Sequence, residues 1–203
     1  MEAARAVHNS SGNAQPGPPR SRVLATIAVF SALIALGTVL SIPLPPPLYE
    51  ITWSPPIYLA LAALVDPATA FDATAMGGFI GEAFNVAYRG GGSPIYPFGM
   101  VWARGPEVFI VAWAKRRGQK ALAIAMAAAT IFETLAFFFP DWAFYNYGLF
   151  GYVCNSGSVC SSPFAALGAA SGDLFTLVDI AFIPVALLII RAARPSFRRL
   201  GFS

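Results

Sequence analysis

The chain has 203 residues, of which 57% are hydrophobic and 11% charged, with a mean hydropathy of +0.63 and a formal net charge of +3. Soluble domains carry about a quarter charged residues, so this composition describes one membrane-embedded body and excludes an ordinary soluble domain. The basic balance does not point to nucleic acid, because the cations cluster at the ends of apolar runs, as topology determinants do.

The opening MEAARAVHNSSGNAQPGPPR is polar and rich in Pro, Gly, Ser and Asn, and reads as a disordered tail over residues 1–21. A cleaved signal peptide is the rival reading, since Arg20 and Arg22 precede an apolar run. That run is about 20 residues long and ends in SIPLPPP without a small-residue cleavage site, which favours a retained span over residues 23–42. Residues 43–53 (PLPPPLYEITW) form a stiff proline-rich outer loop. The second span, 55–65, is short: about 1.5 Å per residue takes it across half a bilayer. It must tilt, start inside the loop or be shielded by neighbours. Asp66-Pro67 makes a turn in which Asp66 can cap the next helix.

The third span is 68–88, followed by the loop RGGGSPIYP. The fourth is 98–114, followed by KRRGQK, and the fifth is 121–139. An aromatic, glycine-rich outer loop occupies 140–163, the sixth span is 164–190, and RAARPSFRRLGFS closes the chain. Six spans place 11 of the 13 cations on one side, with both termini cytoplasmic. The expectation is an all-α integral membrane protein, with a membrane domain over 22–192 and a basic cytoplasmic tail over 193–203.

The one histidine, His8, lies in the polar tail, which excludes a Ser-His dyad and a His-ligated intramembrane metal site. No P-loop motif occurs, so ATP-driven work would need another subunit. No catalytic group, metal or cofactor is expected. The positive signal is a set of acids inside the spans: Glu82, Glu107, Glu133 and Asp173. Counted from the outer ends of their helices, all four sit about 9–15 Å below the surface. A carboxylate in hydrocarbon costs about 2.5–3.5 kcal/mol on insertion scales, so each should face protein or an aqueous cavity. Pairing between helices, or of Arg104 with Glu107 three residues on, is the structural reading. One arginine cannot neutralise four acids, however, and the imbalance favours a cationic or donor-rich ligand.

Aromatic residues crowd the same side. Most suit an interfacial belt, but Trp53, Trp102 and Trp142 lie at outer loops or span mouths, where indoles could stack on a flat cationic ring. Glu82, Asn85 and Arg89 share one face of span three, with Tyr88 beside them, and lead into a glycine loop able to act as a lid. Asp173 and Asp179, six apart, point about 120° differently on an α-helix, so both should not line one narrow pocket; Thr176 and Asp179 suit a helix contact. Cys154 and Cys160 bracket NSGSV and can close a small disulfide, while a metal site there lacks further ligands. Ala28 and Ala32, four apart in span one, allow close helix approach, as would generic alanine content.

On these residues the chain resembles the substrate-binding S component of an energy-coupling factor (ECF) vitamin transporter over about residues 22–192. The resemblance rests on six spans, the Ala28/Ala32 pair, the long first outer loop, and the acidic and aromatic outer halves of the later spans. It implies that Ala28 and Ala32 dock on a transmembrane coupling subunit, which works with two ATPase subunits, and that a vitamin-like molecule is captured from outside at the cell membrane. The run GEAFNVAYRGGGSPIYPFGMVWARGPEVF, with Gly105 and Glu107 in span four, is similar to the hydroxymethylpyrimidine/thiamine type. That similarity implies that Glu82 or Glu107 meets an aminopyrimidine or cationic ring. A stand-alone proton- or cation-coupled transporter and a non-transport scaffold with paired acids are the other readings.

Overall fold

In the computed structural model, which describes residues 17–43, 50–89, 93–154 and 157–202, every expected span is helical. Helix α1 is Arg20–Val39; strands β1 (Ser41–Pro43) and β2 (Glu50–Thr52) follow, then α2 (Pro55–Leu64) and α3 (Pro67–Arg89). The fourth passage is composite: α4 (Tyr96–Gly99), a π-helical turn (Met100–Arg104) and α5 (Gly105–Ala114). Helix α6 is Gln119–Tyr147, and the sixth passage joins α7 (Pro163–Ala170), a 3₁₀ segment (Ser171–Phe182) and α8 (Ile183–Arg199). Arg20–Val39, Gln119–Tyr147 and Pro163–Arg199 are long and apolar enough to cross a bilayer. Most of the polar tail, including His8, lies outside the described residues, as does the glycine loop at 90–92.

The short second span is resolved by burial. In α2 every residue except Ile57 is buried, and the helix packs against α1, α3, α5 and α8. A helix apolar on all sides belongs inside; sheathed in protein, α2 has no hydrocarbon thickness to match. Its far end is tied by Lys115, whose ammonium donates to the Val65 carbonyl at 3.2 Å. Asp66 caps α3, accepting from the Thr69 backbone N–H at 2.9 Å and the Thr69 hydroxyl at 2.6 Å.

Helices α1 and α3 meet through small residues. A Cβ on Gly77 would lie 2.7 Å from the Ser31 carbonyl oxygen, and one on Gly81 would lie 2.7 Å from Thr38 Cβ. The close face of α1 is therefore Ser31, Ile34 and Thr38, all buried, while Ala28 and Ala32 are exposed on another face. Gly77→Ala is expected to lower the unfolding midpoint in detergent, since overpacking costs about 1–3 kcal/mol. Gly168→Ala, with nothing within 4 Å of the added carbon, should leave the midpoint unchanged or slightly raised. Equal midpoints for the two variants would contradict this packing.

Two elements differ from expectation. Helix α6 continues through Pro140 to Tyr147 instead of ending at residue 139. Proline leaves the carbonyl four residues back without its helical donor; that carbonyl belongs to Ala136, and the Trp102 indole N–H supplies a bond to it at 3.2 Å. Helix α8 likewise runs past residue 190 to Arg199, so most of the basic segment after 193 is helical. Gly201, at φ +91°, turns the chain so that Phe202 packs beneath Phe197 at 5.8 Å between ring centroids.

Candidate functional site

The loop between α1 and α2 is rooted in a two-stranded antiparallel ribbon, Ser41 opposite Thr52 and Ile42 opposite Ile51. Arg89 holds that root, donating to the Ser41 hydroxyl at 2.6 Å and to the Val39 carbonyl at the end of α1 at 2.5 Å. Below the ribbon is a cavity of about 60 Å³, walled by Thr38, Thr52, Glu82, Tyr96, Met100 and Arg104 on one side. The other wall is the 3₁₀ segment, which contributes Gly172, Phe175 and Val178 in one row and Asp173, Thr176 and Asp179 in another.

The π turn has a local cause in proline, and the 3₁₀ segment ends against one. Pro106 has no N–H for the Trp102 carbonyl, and the preceding turn widens so that the Gly105 N–H reaches Met100 O, five residues back. Pro184 has none for the Ile180 carbonyl, and the Ile183 N–H, three residues on, takes that carbonyl instead. A 3₁₀ helix repeats every three residues, so Asp173, Thr176 and Asp179 fall in register. This corrects the α-helical expectation: the two aspartates line one pocket because their segment is not α-helical.

Behind the cavity wall is a buried ion-pair network. Arg104 Nε donates to Glu133 Oε1 at 2.7 Å, and its guanidinium also donates to Ser54 Oγ at 3.1 Å and lies 5.1 Å from the centroid of the Tyr58 ring. The Tyr58 hydroxyl donates to Glu133 Oε2 at 3.0 Å. Arg104 is thus taken by Glu133, not by Glu107. The choice follows from satisfaction of buried groups: Glu133 also accepts from Tyr58, and Ser54 accepts from the arginine, so one arrangement serves four polar side chains. Glu107 lies within electrostatic reach of Glu133, Arg104 and Asp179. It is fully buried with the Glu133 carboxyl facing it, and among the described residues neither of its carboxyl oxygens meets hydrogen-bond geometry.

A second acidic group adjoins the first wall. Asn85 Nδ2 donates to Glu82 Oε2 and to the Thr38 carbonyl, each at 3.4 Å. Tyr96 is partly buried, within reach of Asp173, Glu82 and Asp141. Asp141, itself buried, faces Asp173 and Tyr152. Burial and the facing Asp141 raise the Tyr152 phenol well above its ordinary value, so it stays a donor. Among the described residues, Thr38 Oγ1 and Asp173 Oδ2, both on residues of the cavity wall, are buried without a hydrogen-bond partner. Buried polar atoms are nearly always paired, and these two stand out at the cavity.

Of the residues singled out in sequence, Glu82, Arg104 and Asp173 line the cavity, Asn85 supports Glu82, and Glu133 with Glu107 stands behind Arg104. The tryptophans do not line it. Trp53 is half exposed and edge-on to Phe182 at 5.6 Å. Trp102 serves Ala136, and Trp142 donates to the Pro163 carbonyl at 3.2 Å. Tyr88 is exposed and stacks on Phe84. The aromatic walls are Tyr96 and Phe175. Asp141 went unrecognised because Pro140 reads as a helix stop, and Thr176 and Asp179 were assigned to a helix contact because the 3₁₀ period is not visible in composition. Cys154 and Cys160 are joined, with an S–S distance of 2.08 Å, in the loop that carries Tyr152.

No family model and no curated relative matches the chain. Among solved structures it is similar to the S component of a bacterial ECF transporter, at 20% identity and a TM-score of 0.65, over 89% of this chain and 99% of that one. The likeness establishes the fold: six helical passages arranged as in that S component. With its long apolar spans, the chain is a multi-pass membrane protein.

Proposed function

We propose that the chain is the substrate-binding subunit of an ATP-driven importer of the ECF type. Its ligand is a small, planar, cationic or donor-rich molecule, with thiamine or its pyrimidine precursor favoured. The observation that carries this reading is the charge of the cavity wall. Glu82, Asp173 and Asp179 face the space with Arg104 as the sole cation among the lining residues, and Arg104 is already paired with Glu133. Tyr96 and Phe175 offer faces for a ring. The cavity is far smaller than the roughly 300 Å³ and more that enclose a drug-sized ligand. Capture therefore moves a wall, and the 3₁₀ segment and the ribbon are the parts not locked into α-helical hydrogen bonding.

The chain has no nucleotide-binding motif, so in this proposal a transmembrane coupling subunit and two ATPase subunits supply the energy. The exposed Ala28 and Ala32 face of α1 is the docking surface, and the basic end of the bundle is cytoplasmic. Ala28→Trp/Ala32→Trp should leave ligand binding by the isolated chain intact and abolish ATP-dependent uptake by proteoliposomes holding all subunits. Unchanged uptake would remove the docking surface. Uptake by proteoliposomes holding this chain alone, collapsed by an ionophore, would establish a secondary transporter instead.

A further inference from the structure

The end of the bundle opposite the cavity holds a second concavity, of about 660 Å³, formed where the ends of α2 and α8 meet the turn after α5. Lys115, Arg116, Arg194 and Arg198 line it, and among the described residues that line it none is acidic. Among the described residues, the side chains of Arg116, Arg194 and Arg198 make no hydrogen bond or ion pair. Burial, and then the like charge of Arg116, hold the Lys115 ammonium below its ordinary value, with Asp66 acting in the opposite direction. The rest of the lining is apolar: Ala63 and Leu64 from α2, with Phe197 and the buried Phe202 from the C-terminal turn.

Four cations over an apolar floor, at the level where spans leave the hydrocarbon, match an amphiphilic anion. Guanidinium forks suit phosphate oxygens, and basic pockets between helices on the cytoplasmic side receive anionic headgroups. We infer that this pocket binds a phosphate ester, namely the phosphodiester headgroup of an anionic phospholipid. Its glycerol and upper acyl carbons lie against Phe197, Phe202 and Leu64. The site is separate from the outer cavity and does not depend on the identity of the transported molecule.

Native mass spectrometry of the full chain, delipidated in detergent and titrated with phosphatidylglycerol, tests the assignment. A one-to-one adduct is expected with phosphatidylglycerol and not with phosphatidylcholine. Arg194→Gln/Arg198→Gln should weaken it about thirtyfold, since each basic residue near a headgroup contributes on the order of a fivefold preference. Arg191→Gln/Arg199→Gln, whose arginines lie outside the pocket, should change it less than about threefold. Should the first double variant fail to fold, Arg116→Gln at the exposed turn carries the test, with about a fivefold loss expected. Equal losses in the two double variants, or equal binding of both lipids, would overturn the site. Binding of inorganic phosphate without phosphatidylglycerol would assign the pocket to a soluble phosphate and overturn the lipid assignment.

Discussion

Arg104→Gln is expected to destabilise the chain by about 3–5 kcal/mol, the cost of removing one partner from a buried ion pair. Arg104 is 5% exposed and Glu133 is fully buried. Without the guanidinium, Glu133 keeps the Tyr58 hydroxyl but loses its counter-charge, with Glu107 still in reach, and Ser54 loses a donor. The defect joins three helical passages, α2, the π turn and α6, so it should not remain local. Thermal unfolding in detergent should show a drop on the order of 10 °C, partly restored in Arg104→Met/Glu133→Leu, where no charge is stranded. A drop no larger than that of the exposed Arg20→Gln would show that the pair carries no stability.

Asp173→Asn and Asp179→Asn should each weaken capture of a cationic ligand by on the order of thirtyfold or more, because a desolvated charge pair loses one partner. Both substitutions keep side-chain size and leave Arg104–Glu133 intact. Glu107→Gln, off the cavity wall, should change affinity less than about tenfold. This ordering distinguishes the 3₁₀-registered wall from an α-helical sixth span, in which the two aspartates would diverge. Isothermal titration of the isolated chain checks it; a full effect at Glu107 with none at Asp179 would reverse the assignment.

The fold was legible in sequence because its main determinants are local. Hydropathy located all six passages. Asp66-Pro67 read correctly as turn and cap, since both functions lie within four residues. The site was legible in part. Glu82 and Asp173 stood out because a carboxylate inside a span is costly. Three details required tertiary structure. The partner of Arg104 sits 29 residues away on another helix. The passage of α6 through Pro140 depends on an indole from the fourth passage. The alignment of Asp173 with Asp179 depends on a three-residue helical period, which a 3.6-residue reading misplaces. The position of the tryptophans outside the cavity lining has a related reason: indoles at span mouths are placed by backbone carbonyls and neighbouring rings, and these are not visible in a single sequence.

In the proposed function, the acidic cavity between the π turn and the 3₁₀ segment holds a small cationic or donor-rich molecule without help from ATP. The decisive experiment is mass spectrometry of the small molecules released from the purified chain. One planar, nitrogen-rich compound at near-stoichiometric amount, lost from the Asp173→Asn variant, is the expected result. A stoichiometric anion, or a compound retained equally by wild type and Asp173→Asn, would contradict it.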